Sequence, residues 1–171
     1  MKLITRQFPL FTLLLATLLV SNGCGVYSPY GAQTSGAKSF SVEYFKPQTP
    51  LASAQMALNF TEALKDLIQR QSTLDLLTEN GELQFSGLIT NYDVRPVSVQ
   101  SDETASLSRL SVTVKLKYVN TLNSELDFER NFAKFADFDS NSDLFTVEEG
   151  LLSEINEQLT REIFNATLGN W

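Results

Sequence analysis

The chain has 171 residues with 13 basic and 20 acidic side chains, no histidine and one cysteine. A net charge of −7 argues against nucleic acid as a partner, because phosphate binding needs a basic surface. Without histidine and with a single cysteine, the common nucleophile–base pairs and zinc sites cannot form, so we expect no enzyme and no cofactor. A hydrolase using carboxylates alone stays open, although no motif supports it.

The first 23 residues are predicted to be a bacterial lipoprotein signal peptide. Lys2 and Arg6 make the start positive, and the apolar run 10–20 is too short for a bilayer, which takes about 20 residues. Gly23 directly precedes Cys24, an arrangement that resembles a lipobox. We therefore expect Cys24 to carry a diacylglyceryl lipid and to begin the mature protein. An uncleaved anchor with an incidental cysteine is the alternative.

Lipidation would anchor the chain without a transmembrane helix, since two acyl chains are enough for stable anchoring. Residues 24–38 are rich in Gly, Ser and Pro, which is typical of a flexible tether. Residues 39–171 are predicted to be a single domain. No second cysteine is present to form a disulfide bond.

Along that domain, alternation of apolar residues predicts a first strand over 39–45, and a stripe at helical spacing predicts a helix over 53–71. Residues 74–77 and 83–94 flank Asn80-Gly81 and are predicted to form a hairpin, with a bulge at Gly87. Strict alternation makes 107–119 the clearest strand.

The segment 127–138 is ambiguous, because its phenylalanines have helical spacing, but a strand paired with 107–119 is favoured. A last helix is predicted over 147–168, with Thr146 and Glu149 as a capping box. The order β-α-β-β-β-β-α predicts an α+β fold, with two helices packed on one face of a four- to five-stranded, mostly antiparallel sheet.

One acidic segment has the spacing of a calcium loop. Oxygen-bearing side chains occupy its first, third, fifth, seventh and twelfth positions: Asp137, Asp139, Asn141, Asp143 and Glu148. The sixth position, however, is Ser142 where the sharp turn of such a loop needs glycine. A polar loop whose acids stabilise the start of the last helix is the other interpretation.

Several basic side chains are predicted to lie on the last two strands. Three alternate on one face of the 107–119 strand and two lie on its neighbour, and together they could form a strip: Arg109, Lys115, Lys117, Arg130 and Lys134. The strip could contact the phosphate of an anionic lipid head group, or it could be ordinary solubilising charge.

The chain also resembles the lipopolysaccharide-assembly lipoprotein family LptE. The resemblance runs through six segments in the family's order: Cys24-Gly-Val-Tyr27, Phe40-Ser-Val-Glu-Tyr-Phe45, Phe60-Thr-Glu-Ala-Leu-Lys-Asp66, Phe85-Ser-Gly-Leu-Ile-Thr-Asn-Tyr92, Phe135-Ala-Asp-Phe-Asp139 and Ile155-Asn-Glu-Gln-Leu159.

This resemblance implies a lipid-anchored, periplasm-facing protein of the outer membrane that catalyses no reaction. It implies that the protein plugs an LptD-type β-barrel, helps that barrel assemble, and assists lipopolysaccharide transport to the outer leaflet. The implied partners are the barrel, lipopolysaccharide and the membrane. The alternative function is a generic ligand-binding lipoprotein that uses the segment from Asp137 to Glu148 for calcium.

Overall fold

The computed structural model of the protein describes residues 32–97 and 106–169. The expected signal peptide, Cys24 and the first part of the expected tether lie outside these residues. The elements in chain order are β1 (Ser39–Val42), β2 (Lys46–Pro47), α1 (Ala54–Gln71), β3 (Asp75–Leu76), β4 (Leu83–Val97), β5 (Leu107–Asn120), β6 (Phe128–Asp139) and α2 (Leu144–Leu168).

The strands form one mixed sheet in the order β3-β1-β4-β5-β6, with β2 beside β4. The three long strands β4, β5 and β6 are antiparallel, whereas the short strands pair in parallel: β1 with β3 and β4, and β2 with β4. The predicted fold class is confirmed, since the chain is α+β with two helices against a mostly antiparallel sheet.

The predicted hairpin around Asn80-Gly81 is wrong. Strand β3 does not pair with β4, because β1 lies between them and pairs with both. Asn80 does take a positive φ of 57°. The segment after β3 then crosses β1, where the Gly81 amide donates to Ser41 Oγ at 3.1 Å.

The bulge predicted at Gly87 lies elsewhere, since the register between β4 and β5 shifts between Ile89 and Asn91. Gly87 instead allows a close approach of neighbouring atoms. A Cβ there would lie 2.1 Å from the carbonyl oxygen of Lys115 and 2.7 Å from the ring of Phe45.

The core lies between the helices and one face of the sheet. Alternate residues of β5 are fully buried on this helix-covered face: Leu110, Val112, Val114 and Leu116. Helix α1, capped by Ser53 Oγ accepting from the Met56 amide, buries Phe60, whose ring meets that of Phe45 edge-on with centroids 5.0 Å apart. Burial of apolar area on this face supplies most of the driving force for folding.

The ambiguous segment is a strand, β6, as favoured from the sequence. Its phenylalanines therefore lie on both faces of the sheet. Phe132 is buried under the helices, whereas Phe135 is 47% exposed on the other face. The predicted start of the last helix is wrong: α2 begins three residues earlier, and its cap is Asp143, whose Oδ1 accepts from the Phe145 amide at 3.1 Å. Thr146 lies inside the helix and donates to the Asp143 carbonyl oxygen.

The later part of the expected tether, residues 32–38, contacts the domain. Ala32 forms a β-bridge with Gly169, and the Gln33 amide donates to the Leu168 carbonyl oxygen at 2.7 Å. Ala37 is buried in the core. Within the described parts of the chain, neither helix is apolar enough over a sufficient length to cross a bilayer.

Candidate functional site

The sheet has an open face, formed by the side chains of β4, β5 and β6 that point away from the helices. On β5 the open face carries Arg109, Lys115 and Lys117, and the pairing with β6 places Asp137, Asn131 and Glu129 opposite them. Strand alternation predicted this placement of the three β5 residues, and the structure brings them to one face as expected. Their acidic neighbours depend on the β5–β6 register, which the sequence did not fix.

Arg109 is held by two neighbours on the open face. Its Nε and Nη2 atoms donate to the two Asp137 carboxylate oxygens at 2.7 and 2.9 Å, and its guanidinium carbon lies 3.6 Å from the Phe135 ring centroid. The hydrogen bond from Arg109 lowers the pKa of Asp137. Both nitrogens that face Asp137 are already used, so Arg109 has reduced capacity for another anion.

Lys115 is neutralised in the same way. Its ammonium group forms an ion pair with Glu129 across the strand pair, and this hydrogen bond lowers the pKa of the Glu129 carboxyl group. Lys117 lies directly opposite Glu129 in the register but has no ion pair among residues 32–97 and 106–169.

The five predicted basic residues do not form one strip. Arg130 and Lys134 pair with Leu116 and Val112, whose side chains face the helices, so these two cations lie on the other face of the sheet. The reason is the two-residue period of a strand, which places even-numbered residues of β6 opposite the even-numbered, buried residues of β5.

The two cations on the helix-covered face differ in their surroundings. Lys134 Nζ lies 3.0 Å from Glu162 Oε2 of α2. The Arg130 guanidinium lies over two rings, 4.5 Å from the centroid of Phe132 and 5.4 Å from that of Phe128, with no carboxylate in ion-pair range among the described residues. Arg130 therefore keeps its N–H groups for another partner.

The candidate calcium residues are not brought together either. Asp137 binds Arg109 on the open face, Asp139 accepts from Asn141 in the following turn, and Asp143 caps α2. Glu148 accepts a hydrogen bond from the Tyr92 hydroxyl. Within residues 32–97 and 106–169, no group of three or more metal-ligating side chains has suitable geometry. The segment enters from a strand, whereas the calcium loop of this spacing is entered from a helix.

A groove that sequence reasoning missed runs between α1 and α2, with a volume of about 1180 Å³. Its lining includes apolar Met56, Leu67 and Leu152. At one end of α2, Phe145 lies beside the groove with 86% of its surface exposed. The sequence-based start of the helix at residue 147 left Phe145 outside the helix. Asp143, a residue type that favours the N-cap, is the signal that would have placed Phe145 in the first turn.

Among the described residues the domain presents two surfaces, an open charged face of the sheet and a groove between the two helices on the opposite side. The chain belongs to the LptE lipopolysaccharide-assembly family, whose model matches residues 37–167. That is a non-enzymatic lipoprotein family. A comparison with the curated proteins gave no significant match.

Solved structures of similar fold come from several bacteria. A hypothetical protein from Chlamydia trachomatis is 10% identical with a TM-score of 0.50, covering 77% of this chain and 98% of its own. A minor lipoprotein from Acinetobacter baumannii is 14% identical with a TM-score of 0.47, covering 78% and 97%. An uncharacterized lipoprotein B from Nitrosomonas europaea is 13% identical with a TM-score of 0.49, covering 75% and 80%. At these identities the likeness concerns the fold alone.

Proposed function

We propose that the protein is a lipopolysaccharide-assembly lipoprotein, anchored to the outer membrane through a lipid on Cys24, which plugs an LptD-type β-barrel and helps it assemble. The observation that carries this proposal is the family match over residues 37–167, which includes α1, every strand of the sheet and all of α2 except its last residue. In this role the protein acts through contact surfaces, catalyses no reaction and needs no cofactor.

The distribution of exposed side chains supports a protein that is surrounded by its partner. Phe135 is 47% exposed on the open face, and Phe145 is 86% exposed beside the groove on the opposite side. Exposed aromatic side chains are typical anchors of protein interfaces. A plug inside a barrel would bury both of these surfaces against the barrel wall, whereas a one-sided partner would bury only one.

Site-specific photo-crosslinking in the native outer membrane tests this arrangement. Phe135 and Phe145 are each replaced by p-benzoylphenylalanine, a substitution that keeps an aromatic ring at an exposed position. We expect both variants to give an adduct with the same outer-membrane barrel after irradiation, identified by mass spectrometry, with unirradiated samples as controls. Depletion of the protein should also lower surface lipopolysaccharide.

Two results would contradict the proposal. If the lipidated protein is recovered without a barrel adduct at either position, the proposed barrel partner is refuted. An adduct at only one position would exclude the enclosed arrangement. Mass spectrometry of the mature N-terminus separately tests the lipid on Cys24.

A further inference from the structure

One end of the sheet carries four exposed leucines on two different segments. One row of paired residues crosses four strands at this end, from the edge strand β3 through β1 and β4 to β5: Leu76, Phe40, Leu83 and Asn120. The turn that follows Asn120 adds two more leucines at the same end. We call this end of the sheet the leucine end. Its four leucines have between 36% and 53% of their surface exposed: Leu76, Leu77, Leu122 and Leu126.

The chain also enters the sheet at the leucine end. Ser39 begins β1 there, paired with Asp75, and the preceding Lys38 amide donates to Glu82 Oε2 at the start of β4. Upstream, Ala32 is fixed to Gly169. The chain from Cys24 to Ala32 makes eight residue-to-residue steps and can span at most about 29 Å when fully extended. A lipid on Cys24 would therefore keep the domain close to the membrane surface.

We propose that the leucine end rests on the headgroup region of the membrane that holds the Cys24 lipid, with Leu122 and Leu126 in contact with lipid. This inference depends on the lipid anchor of the proposed function. The leucines gain by leaving water, and the short tether gives them a high effective concentration at the surface, so a weak contact is enough.

The charges at the leucine end determine which surface it suits. Acidic groups outnumber basic ones there: Asp75, Glu79 and Glu125 are exposed beside one exposed cation, Lys38. Glu82 and Asp127 accept hydrogen bonds from the Lys38 and Asn120 amides. Carboxylates are repelled by an anionic leaflet. The occupant is therefore a zwitterionic lipid surface, and contact through the leucines should weaken as anionic lipid is added.

A matched pair of labelled variants tests the contact on the full mature chain. Cys24 is the only cysteine, and acylation consumes its thiol, so an introduced cysteine can be labelled alone. Ser124→Cys places a fluorophore between Leu122 and Leu126, and Ser142→Cys places it in the exposed turn at the opposite end of β6. Both lipidated proteins are reconstituted into phosphatidylcholine vesicles that contain a lipid-borne quencher.

We expect quenching at Ser124→Cys to exceed that at Ser142→Cys several-fold. Adding Leu122→Ser and Leu126→Ser to the Ser124→Cys protein should reduce its quenching to the level of the control. Equal quenching at the two ends, or quenching that survives the double leucine change, would overturn the inference.

Vesicle flotation separates this inference from the proposed anchor. A protein that floats with the vesicles but is not quenched at Ser124→Cys retains the anchor and refutes only the leucine contact. A protein that does not float, with no lipid on Cys24 by mass spectrometry, refutes the anchor and the leucine contact together.

Discussion

At the scale of single residues, Gly81 determines how the segment after β3 reaches β4. A Cβ at Gly81 would lie 2.3 Å from the Phe40 carbonyl carbon and 2.4 Å from the Ser41 nitrogen. Both are backbone atoms of β1, which is held between β3 and β4 and cannot move like a flexible side chain. The Asn-Gly pair therefore serves a close crossing of two backbone segments.

The first prediction is that Gly81→Ala destabilises the domain, by about 1–3 kcal/mol or more, because overpacking forces the backbone to shift. The matched control is Gly150→Ala in α2, where a Cβ meets nothing within 4 Å. That change should stabilise the protein by about 0.5–1 kcal/mol, since alanine favours a helix interior over glycine. Urea unfolding of both variants measures the difference, and equal effects would contradict the crossing.

At the scale of elements, local patterns predicted those strands and helices whose own side chains face the core. The alternation in β5 gave its two faces correctly, because every second side chain is buried under the helices. The hairpin prediction failed because the pairing of β1 between β3 and β4 joins residues about forty positions apart, which no local signal at Asn80-Gly81 records. The prediction of where α2 starts failed because two residues with capping ability, Asp143 and Thr146, lie close together.

One hydrogen bond joins the far part of β4 to the first turns of α2. The buried Tyr92 hydroxyl donates to Glu148 Oε1 at 2.5 Å. Burial, and then the hydrogen bond to the Glu148 carboxylate, raises the pKa of Tyr92 well above its ordinary value of 10.0. Burial also raises the pKa of Tyr118 to about 12.

The second prediction concerns alkaline stability. The folded state holds these phenol protons at a pH where the unfolded chain releases them, so the stability they provide is complete below about pH 10 and decreases as the pH rises above it. Tyr92→Phe should lower the free energy of unfolding at pH 7 by about 1–3 kcal/mol, through the lost bond to Glu148. It should also make the loss of stability between about pH 10 and 12 shallower than in the native protein.

Urea unfolding at pH 7, 10 and 11 checks this prediction. Tyr118→Phe provides a second buried tyrosine whose removal should also reduce the alkaline slope. An unchanged slope in both variants would show that the two phenols do not control alkaline stability.

At the scale of the whole molecule, the sequence identified the basic residues of the last two strands but not their distribution. Which face Arg130 occupies depends on the register of β5 with β6, and that register follows from the whole sheet. The ion pairs that neutralise Arg109, Lys115 and Lys134 depend on the same register and on the packing of α2. The molecule therefore presents its basic residues on two faces, and most of them already have acidic partners.

The last prediction follows from this distribution and rests on direct contact with lipopolysaccharide. Arg130 lies on the edge strand, over Phe132, and has no carboxylate in range among the described residues, whereas Arg109 donates two hydrogen bonds to Asp137. Arg130→Gln should weaken lipopolysaccharide binding by the full-length protein about tenfold, the effect of losing one charge-assisted hydrogen bond. Arg109→Gln, which removes the same charge from the open face, should change it less than twofold, as measured by titration of each purified variant at fixed ionic strength, roughly 0.15 M. If Arg109→Gln weakens binding as much as Arg130→Gln, the contact lies on the open face, and the Arg109–Asp137 pair must open to make it.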